Sequence, residues 1–171
     1  MDQMEQTQES TKGKIRKAEY LENRYLAIDP GKSGGVAVLD GDSVVVWNCP
    51  PTPAGMADVI LDITNASYVD GYTLHCAIEL VHAFPGDGRS SVFKFGTNYG
   101  TWIGILESRR VKYKFVSPRK WQAAYQPLPK VKKERKNKLK EIAKSFYPKA
   151  TLITSDAICL ALYAKENWDE F

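Results

Sequence analysis

The sequence predicts an α/β fold in which helices flank a mixed five-stranded sheet. Three short apolar runs follow one another near the start of the chain with tight-turn residues between them, and two later apolar runs alternate with helical patterns. Strands joined by tight turns form an antiparallel meander, whereas strands joined through helices run parallel. The 171 residues suit one domain with one sizeable core.

The first strand is predicted at 25–28, where an apolar run ends at Asp29, Pro30 and Gly31. Turn signals then separate the further elements. These are strands over 36–39 and 44–47, a helix over 54–66, a strand over 73–80, a helix over 91–108, a strand over 112–116, and helices over 119–125, 131–146 and 155–167. Residues 1–22 are polar and lack a hydrophobic repeat, so they predict a flexible tail before a folded domain at 23–171.

Composition excludes several classes of protein. No apolar run approaches the roughly 18 residues of a membrane span. The first residues are polar and acidic, which predicts that they are not a secretory signal. Cys49, Cys76 and Cys159 lie far apart without a CxxC spacing, which favours reduced thiols over a disulfide framework or a zinc site.

One segment of the chain is strongly basic. Between Arg109 and Lys149 there are 15 Lys and Arg residues and only two acids, Glu134 and Glu141, whereas the whole chain has a net charge of +4. The rest of the chain is therefore acidic. A basic face on an otherwise acidic protein favours a polyanionic partner such as nucleic acid. The alternative is a solvated surface, which usually mixes both signs.

Three acids interrupt hydrophobic sequence on three separate elements. Asp29 follows the first strand, Glu79 lies within an apolar strand, and Asp156 opens an otherwise apolar helix. A buried charge needs a partner or a metal. If the first and fourth strands are neighbours, Asp29 and Glu79 converge, and Asp156 closes the cluster. Clustered carboxylates without His or Cys suit Mg²⁺ or Mn²⁺, and a pair of such ions about 3.5–4 Å apart hydrolyses phosphodiesters.

Each acid also has a structural interpretation. Asp29 could form an Asx turn before Pro30 and Gly31. Asp156 could be an acid of the first helical turn, favoured by the helix dipole. Glu79 is the hardest to explain in this way, because Glu is a poor strand residue.

Three glycines, Gly96, Gly100 and Gly104, repeat every four residues in the helix predicted at 91–108. This spacing places them on one face of the helix and predicts a smooth stripe for close packing.

Four blocks of sequence occur in an order that is typical of one family. They are DPGKSGGVA at 29–37, AIELVHAFPG at 77–86 with FKFGTNYG at 93–100, VSPRKW at 116–121, and SDAICLA at 155–161. Together they resemble the RuvC-type Holliday junction resolvases, most of all their phage and bacterial-prophage branch and the related organellar resolvases. The resemblance spans about residues 25–165 and leaves only the tail outside.

The resemblance implies an RNase H-like fold, a homodimer, and Mg²⁺-dependent paired nicking of four-way DNA junctions without a nucleotide cofactor. Asp29 corresponds to the metal ligand of the first strand, Glu79 to the ligand shared between two metals, and Asp156 to the ligand on the last helix. Many members carry a further acid or His three or four residues before that last ligand. This chain has Ile153 and Leu152 there, which cannot bind metal. The resemblance also implies a bacterial cytoplasmic or nucleoid protein, encoded by the bacterium or a phage, rather than an organellar one.

The expected DNA contacts lie in the glycine-rich turn, in the loop after Glu79 and in the basic segment. The turn allows close approach to a phosphate, although it could equally be only a hairpin turn. Phe84 could wedge into an opened junction, as an aromatic in this region does in the family, or pack in the core. The basic side chains would grip phosphates without reading sequence. The full set is Lys32, Ser33, Phe84, Arg89, Lys94, Arg119, Lys120, Lys130, Lys132, Lys133, Arg135 and Lys136.

The leading hypothesis is therefore a structure-selective endonuclease. One alternative is a non-catalytic protein of the same fold that binds branched DNA, which the apolar Ile153 favours. A second is an actin-like phosphotransferase, but such proteins usually need two such domains and a second phosphate loop, for which 171 residues are too few.

Overall fold

The computed structural model describes residues 22–83 and 86–170. All but the last residue of the predicted tail, and the predicted wedge residue Phe84, lie outside the described residues.

Five strands form one mixed sheet. They are β1 (Asn23–Asp29), β2 (Gly35–Asp40), β3 (Ser43–Asn48), β4 (Thr73–Glu79) and β5 (Lys112–Val116). Their order across the sheet is β3-β2-β1-β4-β5. The first three strands pair antiparallel, and β4 pairs parallel with both β1 and β5. The predicted meander with added parallel strands is confirmed.

Five helices flank the sheet: α1 (Pro53–Asp70), α2 (Arg89–Ser108), α3 (Pro118–Ala123), α4 (Lys132–Phe146) and α5 (Ser155–Asn167), and a 3₁₀ turn follows at Trp168–Glu170. Helix α1 runs four residues past its predicted end, until Gly71 stops it with a left-handed backbone at φ 75°. Helix α2 begins two residues earlier than predicted, at Arg89. These shifts affect only the ends of elements, where short-range sequence signals are weakest.

The two faces of the sheet are covered by different helices. Leu26 and Ile28 of β1 point into a core shared with α1 and α2, while the intervening Ala27 points to the opposite face, toward α5. In the strand register, Ala27 lies between Ala37 and Ala77. This row of small side chains lets α5 lie close against the centre of the sheet, and the first seven residues of α5 are all buried as a result.

The prediction that Gly96, Gly100 and Gly104 pack closely is wrong for the chain by itself. All three are exposed, and nothing outside the helix backbone lies within 4 Å of the position that a Cβ atom would take at each. The opposite side of α2, with Trp102 and Leu106, is the one that packs into the core. The four-residue spacing identifies one helical face but not the direction in which it points.

Among the described helices, none combines the length and the apolar character needed to cross a membrane.

Candidate metal and active centre

Asp29 and Glu79 end two neighbouring strands. Ile28 and Ile78 are paired across the parallel β1–β4 ladder, so the next residue on each strand places Asp29 and Glu79 side by side at the carboxyl edge of the sheet. Both side chains are partly buried. The predicted adjacency of the first and fourth strands is confirmed, and with it the convergence of the two carboxylates.

The turn after β1 holds Asp29 in place. Gly34 folds back onto the end of β1 so closely that a Cβ atom there would lie 2.0 Å from the backbone oxygen of Asp29. The turn is closed by a hydrogen bond from the Gly34 amide to the Gly31 oxygen at 2.9 Å. The Gly31 amide also donates to Asn98 Oδ1 on α2 at 2.8 Å. These glycines therefore shape the hairpin, and the expected approach of this turn to a phosphate stays a prediction.

Asp156 approaches the same edge from α5. It lies in the first turn of that helix and is 8% exposed. Helix α5 packs on β1, β2 and β4, so its N-terminal turn is carried to the end of β1. Ser155 Oγ lies 3.4 Å from Asp156 Oδ1.

The three carboxylates influence one another electrostatically. Burial raises the pKa of Asp29 well above its usual range, and the nearby charges of Glu79 and Asp156 raise it further. Burial also raises the pKa of Glu79 to about 7, with a smaller contribution from Asp156. Such shifts mark a group of acids with too little positive charge nearby, a condition that a bound cation relieves.

Lys136 supplies the ammonium group at this cluster. Its Nζ lies 2.9 Å from Asp156 Oδ2. Burial opposes protonation of Lys136, but the charges of Asp156, Asp29 and Glu79 raise its pKa overall. The sequence predicted Lys136 only as a phosphate contact, because nothing in a run of lysines shows which one faces a carboxylate.

Trp121 is the second partner of the cluster. Its indole Nε1 donates a hydrogen bond to Glu79 Oε2 at 2.8 Å, and the side chain is fully buried. Sequence reasoning placed Trp121 in a family block but assigned it no role. The only sequence feature that could have indicated this contact was a tryptophan in a short helix directly after a strand.

The donor chemistry fits Mg²⁺ or Mn²⁺, since the clustered groups are carboxylate oxygens that are partly buried and close to other negative charges. Within residues 22–83 and 86–170, however, no three His, Cys, Asp or Glu side chains are arranged to hold a metal ion as they stand. Two of the three carboxylates are engaged with other partners, Glu79 with Trp121 and Asp156 with Lys136. A cation could therefore bind Asp156 fully only after the Lys136 ammonium moves away.

The positions before Asp156 provide no further acid. Leu152 is 45% exposed and Ile153 is 36% exposed, so both apolar side chains stand at the surface beside the cluster. The hydroxyl of Thr154 accepts a hydrogen bond from the Thr151 amide at 3.0 Å, and Ser155 is fully buried.

Most of the residues predicted to bind DNA are exposed. These are Lys32, Ser33, Arg89, Lys94, Arg119, Lys120, Lys130, Lys132 and Lys133. Arg135 is half-buried, and its guanidinium donates to the backbone oxygen of Lys130 at 3.0 Å, which ties the start of α4 to the preceding loop. Phe84 is outside the described residues, so its predicted wedge role stays a prediction.

A groove of about 1060 Å³ lies at the same end of the sheet as the carboxylates, but Asp29, Glu79 and Asp156 do not line it. Its walls come from the β1–β2 turn, the segment after β3, the segment after β4 and the first turns of α2. Lys32 and Lys94 line it together with Phe95, Asn98 and Ile153. It is an open groove with cationic and aromatic side chains.

The fold has close counterparts among solved structures. The structure of RuvC from Thermus thermophilus in complex with a Holliday junction substrate superposes with a TM-score of 0.61, over 86% of this chain and 96% of that one, at 14% sequence identity. The chain has the fold of RuvC. A second Thermus thermophilus RuvC structure agrees, with a TM-score of 0.59, 15% identity, and coverage of 85% of this chain and 95% of that one.

The RuvC fold confirms the RNase H-like architecture that the sequence predicted. The yeast mitochondrial Holliday junction resolvase Ydc2 also matches, over 88% of this chain and 85% of that one at 13% identity, but its TM-score of 0.36 is too low to support an argument. Comparisons of the sequence with protein-family models and with curated proteins gave no match.

Proposed function

We propose that the protein is a divalent-metal-dependent endonuclease that resolves four-way DNA junctions. The observation that carries this proposal is the meeting of Asp29, Glu79 and Asp156 at one edge of a RuvC-like sheet. The similar RuvC structure is a complex with a Holliday junction, and the basic segment around α4 provides the charge that a branched polyanion requires.

The chain's own residues would divide the work. Asp29, Glu79 and Asp156 would hold Mg²⁺ or Mn²⁺, two ions in the arrangement that the resemblance implies. Bound divalent ions supply Lewis acidity and lower the pKa of water for attack on the scissile phosphate, which leaves 5′-phosphate and 3′-hydroxyl ends. With Leu152 and Ile153 in front of Asp156, the second ion would have fewer protein ligands than the first.

The DNA would lie across the carboxylate edge. A strand that continues from this edge into the groove would meet Lys32 and Lys94, which would contact its phosphates. The exposed lysines of α4 would hold a neighbouring arm of the junction. These contacts go to the backbone, so we expect recognition of branched shape together with a strong dependence on salt.

Two copies of the chain would act together. Gly96, Gly100 and Gly104 form an exposed face without side chains on α2, and Phe93, 76% exposed, belongs to the same helix. A second helix could approach such a face closely. We therefore propose it as the dimer surface, which would present two catalytic centres to two opposed strands.

The dimer proposal has a direct test. Gly100→Arg should leave the fold intact, because nothing stands within 4 Å of a Cβ at that position, but it should block approach of a second copy. Sedimentation should then show a monomer, and junction cleavage should change from paired to single nicks. Lys149→Arg, at an exposed position outside α2, is the control. A Gly100→Arg protein that stays dimeric would place the dimer surface elsewhere.

The function is tested on a synthetic four-way junction with Mg²⁺. Wild-type protein should release nicked duplexes, and both Asp29→Asn and Glu79→Gln should bind the junction without cutting it. Cleavage by either variant at the normal rate would exclude this active site.

A second candidate is a non-catalytic protein that binds branched DNA. The observation that favours it is that, in the described chain, no group of acids is closed around a metal position, with Lys136 paired to Asp156. Tight junction binding by the wild type with no nicking at any Mg²⁺ or Mn²⁺ concentration would establish this alternative.

A further inference from the structure

Trp121 makes a contact with Glu79 that packing alone does not require. The indole N–H can only donate, and it donates to one oxygen of Glu79 at 2.8 Å inside the protein. We propose that Trp121 is a positioning residue for the central metal ligand: it holds one carboxylate oxygen of Glu79 and thereby presents the other to a divalent cation. This role rests on the proposed function and adds to it a residue outside the acids.

The local backbone brings the indole back to Glu79. Val116, the last residue of β5, is paired with Glu79, and the Leu80 amide donates to the Val116 oxygen at 2.8 Å. Ser117 then caps α3, accepting from the Lys120 amide at 3.2 Å, and Pro118 occupies the first helical turn. Trp121 follows one turn later, so this short capped helix directs the indole back to the end of β5, beside Glu79.

The indole is itself anchored to the helix that carries Asp156. Trp121 packs edge-on against Tyr125, with ring centroids 6.1 Å apart. The Tyr125 hydroxyl donates to the backbone oxygen of Cys159 on α5 at 2.6 Å. Glu79 and the Asp156 helix are thus connected through two aromatic side chains. A flexible glutamate gains a defined orientation when its partner is rigid, and such outer contacts typically change metal affinity by about 10- to 100-fold.

A second buried tryptophan provides a matched control. Trp102 is also fully buried, but it lies in the core on the other side of the sheet. Within the described chain, its indole nitrogen has no hydrogen-bond partner. Trp121→Phe and Trp102→Phe therefore remove the same atoms from equally buried positions, and only the first removes a hydrogen bond to a proposed metal ligand.

The experiment measures Mn²⁺ binding to the DNA-free, full-length protein by electron paramagnetic resonance. We expect Trp121→Phe to weaken Mn²⁺ binding by about 10- to 100-fold and Trp102→Phe to change it less than about twofold. Tyr125→Phe, which keeps the ring and removes the anchor, should weaken it by a smaller factor. Equal affinities for Trp121→Phe and wild type, or equal losses for both Trp→Phe variants, would overturn the positioning role.

A second measurement does not depend on the folding of Trp121→Phe. The chain has four tryptophans, and Phe variants at Trp47, Trp102 and Trp168 assign the Trp121 indole ¹H–¹⁵N signal by elimination. Titration of wild type with Mg²⁺ should shift the Trp121 signal and leave that of Trp102 in place. A stationary Trp121 signal in protein that binds Mg²⁺ contradicts the positioning role alone, whereas wild type that binds neither ion overturns the proposed function as well.

Discussion

The two ends of β1 each carry a charged cluster, and the two clusters are balanced differently. At the start of the strand, Arg24 is 8% exposed and its guanidinium contacts Asp40 at 2.6 Å and Asp70 at 2.7 Å, while its carbon lies 4.2 Å above the ring of Tyr72. At the end of the strand, Asp29 faces two further acids and a single lysine.

The Arg24 cluster stabilises the fold, whereas the Asp29 cluster is maintained by the fold at a cost in stability. The Arg24 guanidinium has donors for both carboxylates and also stacks on an aromatic ring, so every member gains a partner. The Asp29 cluster keeps raised carboxyl pKa values and therefore costs stability in the absence of a cation. Clusters of the second kind are typical of functional sites.

The largest expected effect is on cleavage. Asp29→Asn should lower the rate of junction cleavage by at least about a thousandfold, since it removes an oxygen ligand from the reacting centre. The same change should raise the unfolding free energy of metal-free protein by about 1 to 2 kcal/mol, because it removes a buried carboxyl that other acids repel. Single-turnover cleavage and urea denaturation measure the two effects. Asp58→Asn, at an exposed position on α1, should change neither.

The stability of the protein should depend on pH through the acids at the Asp29 end of β1. The folded-state pKa of Glu79 is raised from 4.5 to about 7, so the folded protein binds this proton more tightly than the unfolded chain does. The stabilisation is fully present below pH 4.5 and is lost as the pH rises to about 7, on the order of 3 kcal/mol in all. Urea denaturation in chelator should show a steeper decline for wild type than for Glu79→Gln, which keeps only the contribution of the raised Asp29 pKa. Parallel pH profiles for the two proteins would contradict it.

Substitutions in the Arg24 cluster should change the stability of the protein and leave catalysis unchanged. Arg24→Leu leaves Asp40 and Asp70 facing each other without their shared cation and should lower the unfolding free energy by about 2 kcal/mol. Cleavage per folded molecule should stay within about twofold of wild type. Asp70→Asn, which keeps the Arg24–Asp40 pair, should cost less than about 1 kcal/mol. A cleavage defect in folded Arg24→Leu would mean that the two ends are coupled.

The smallest effect concerns Lys136. Lys136→Gln removes an ammonium that competes for Asp156, so DNA-free protein should bind Mn²⁺ about tenfold more tightly. Lys133→Gln makes the same change of charge at an exposed position of the same helix and should alter affinity far less. Isothermal calorimetry gives both values. Similar affinities for the two variants would show that the ammonium of Lys136 does not compete with metal.

The sequence predicted the acids of the site better than their partners. Asp29 and Glu79 stand out because charge interrupts an apolar strand, and strand adjacency alone then brings them together. Lys136 sits among lysines that look alike in one dimension, and only the packing of α4 on α5 selects it. The partner of Trp121 lies 42 residues away in the chain, so no local pattern links the two.

The glycines of α2 are a second case in which a local pattern did not predict a contact. A repeat of four residues indicates which residues share a helical face, but the direction of that face depends on Trp102 and Leu106, which bury the opposite side. The end of α1 and the start of α2 differ from the predicted bounds for a related reason, since caps and turns decide where a helix begins and ends more than periodicity does.

The contact between Gly34 and the backbone of Asp29 leaves no room for any side chain at position 34. A substitution at Gly34 would therefore push the backbone of Asp29 aside and displace its carboxylate, although residue 34 itself has no acid to lose. The hairpin itself should accept substitutions at Lys32 and Ser33, whose side chains are exposed, and a change at Lys32 should then weaken DNA binding without unfolding the turn.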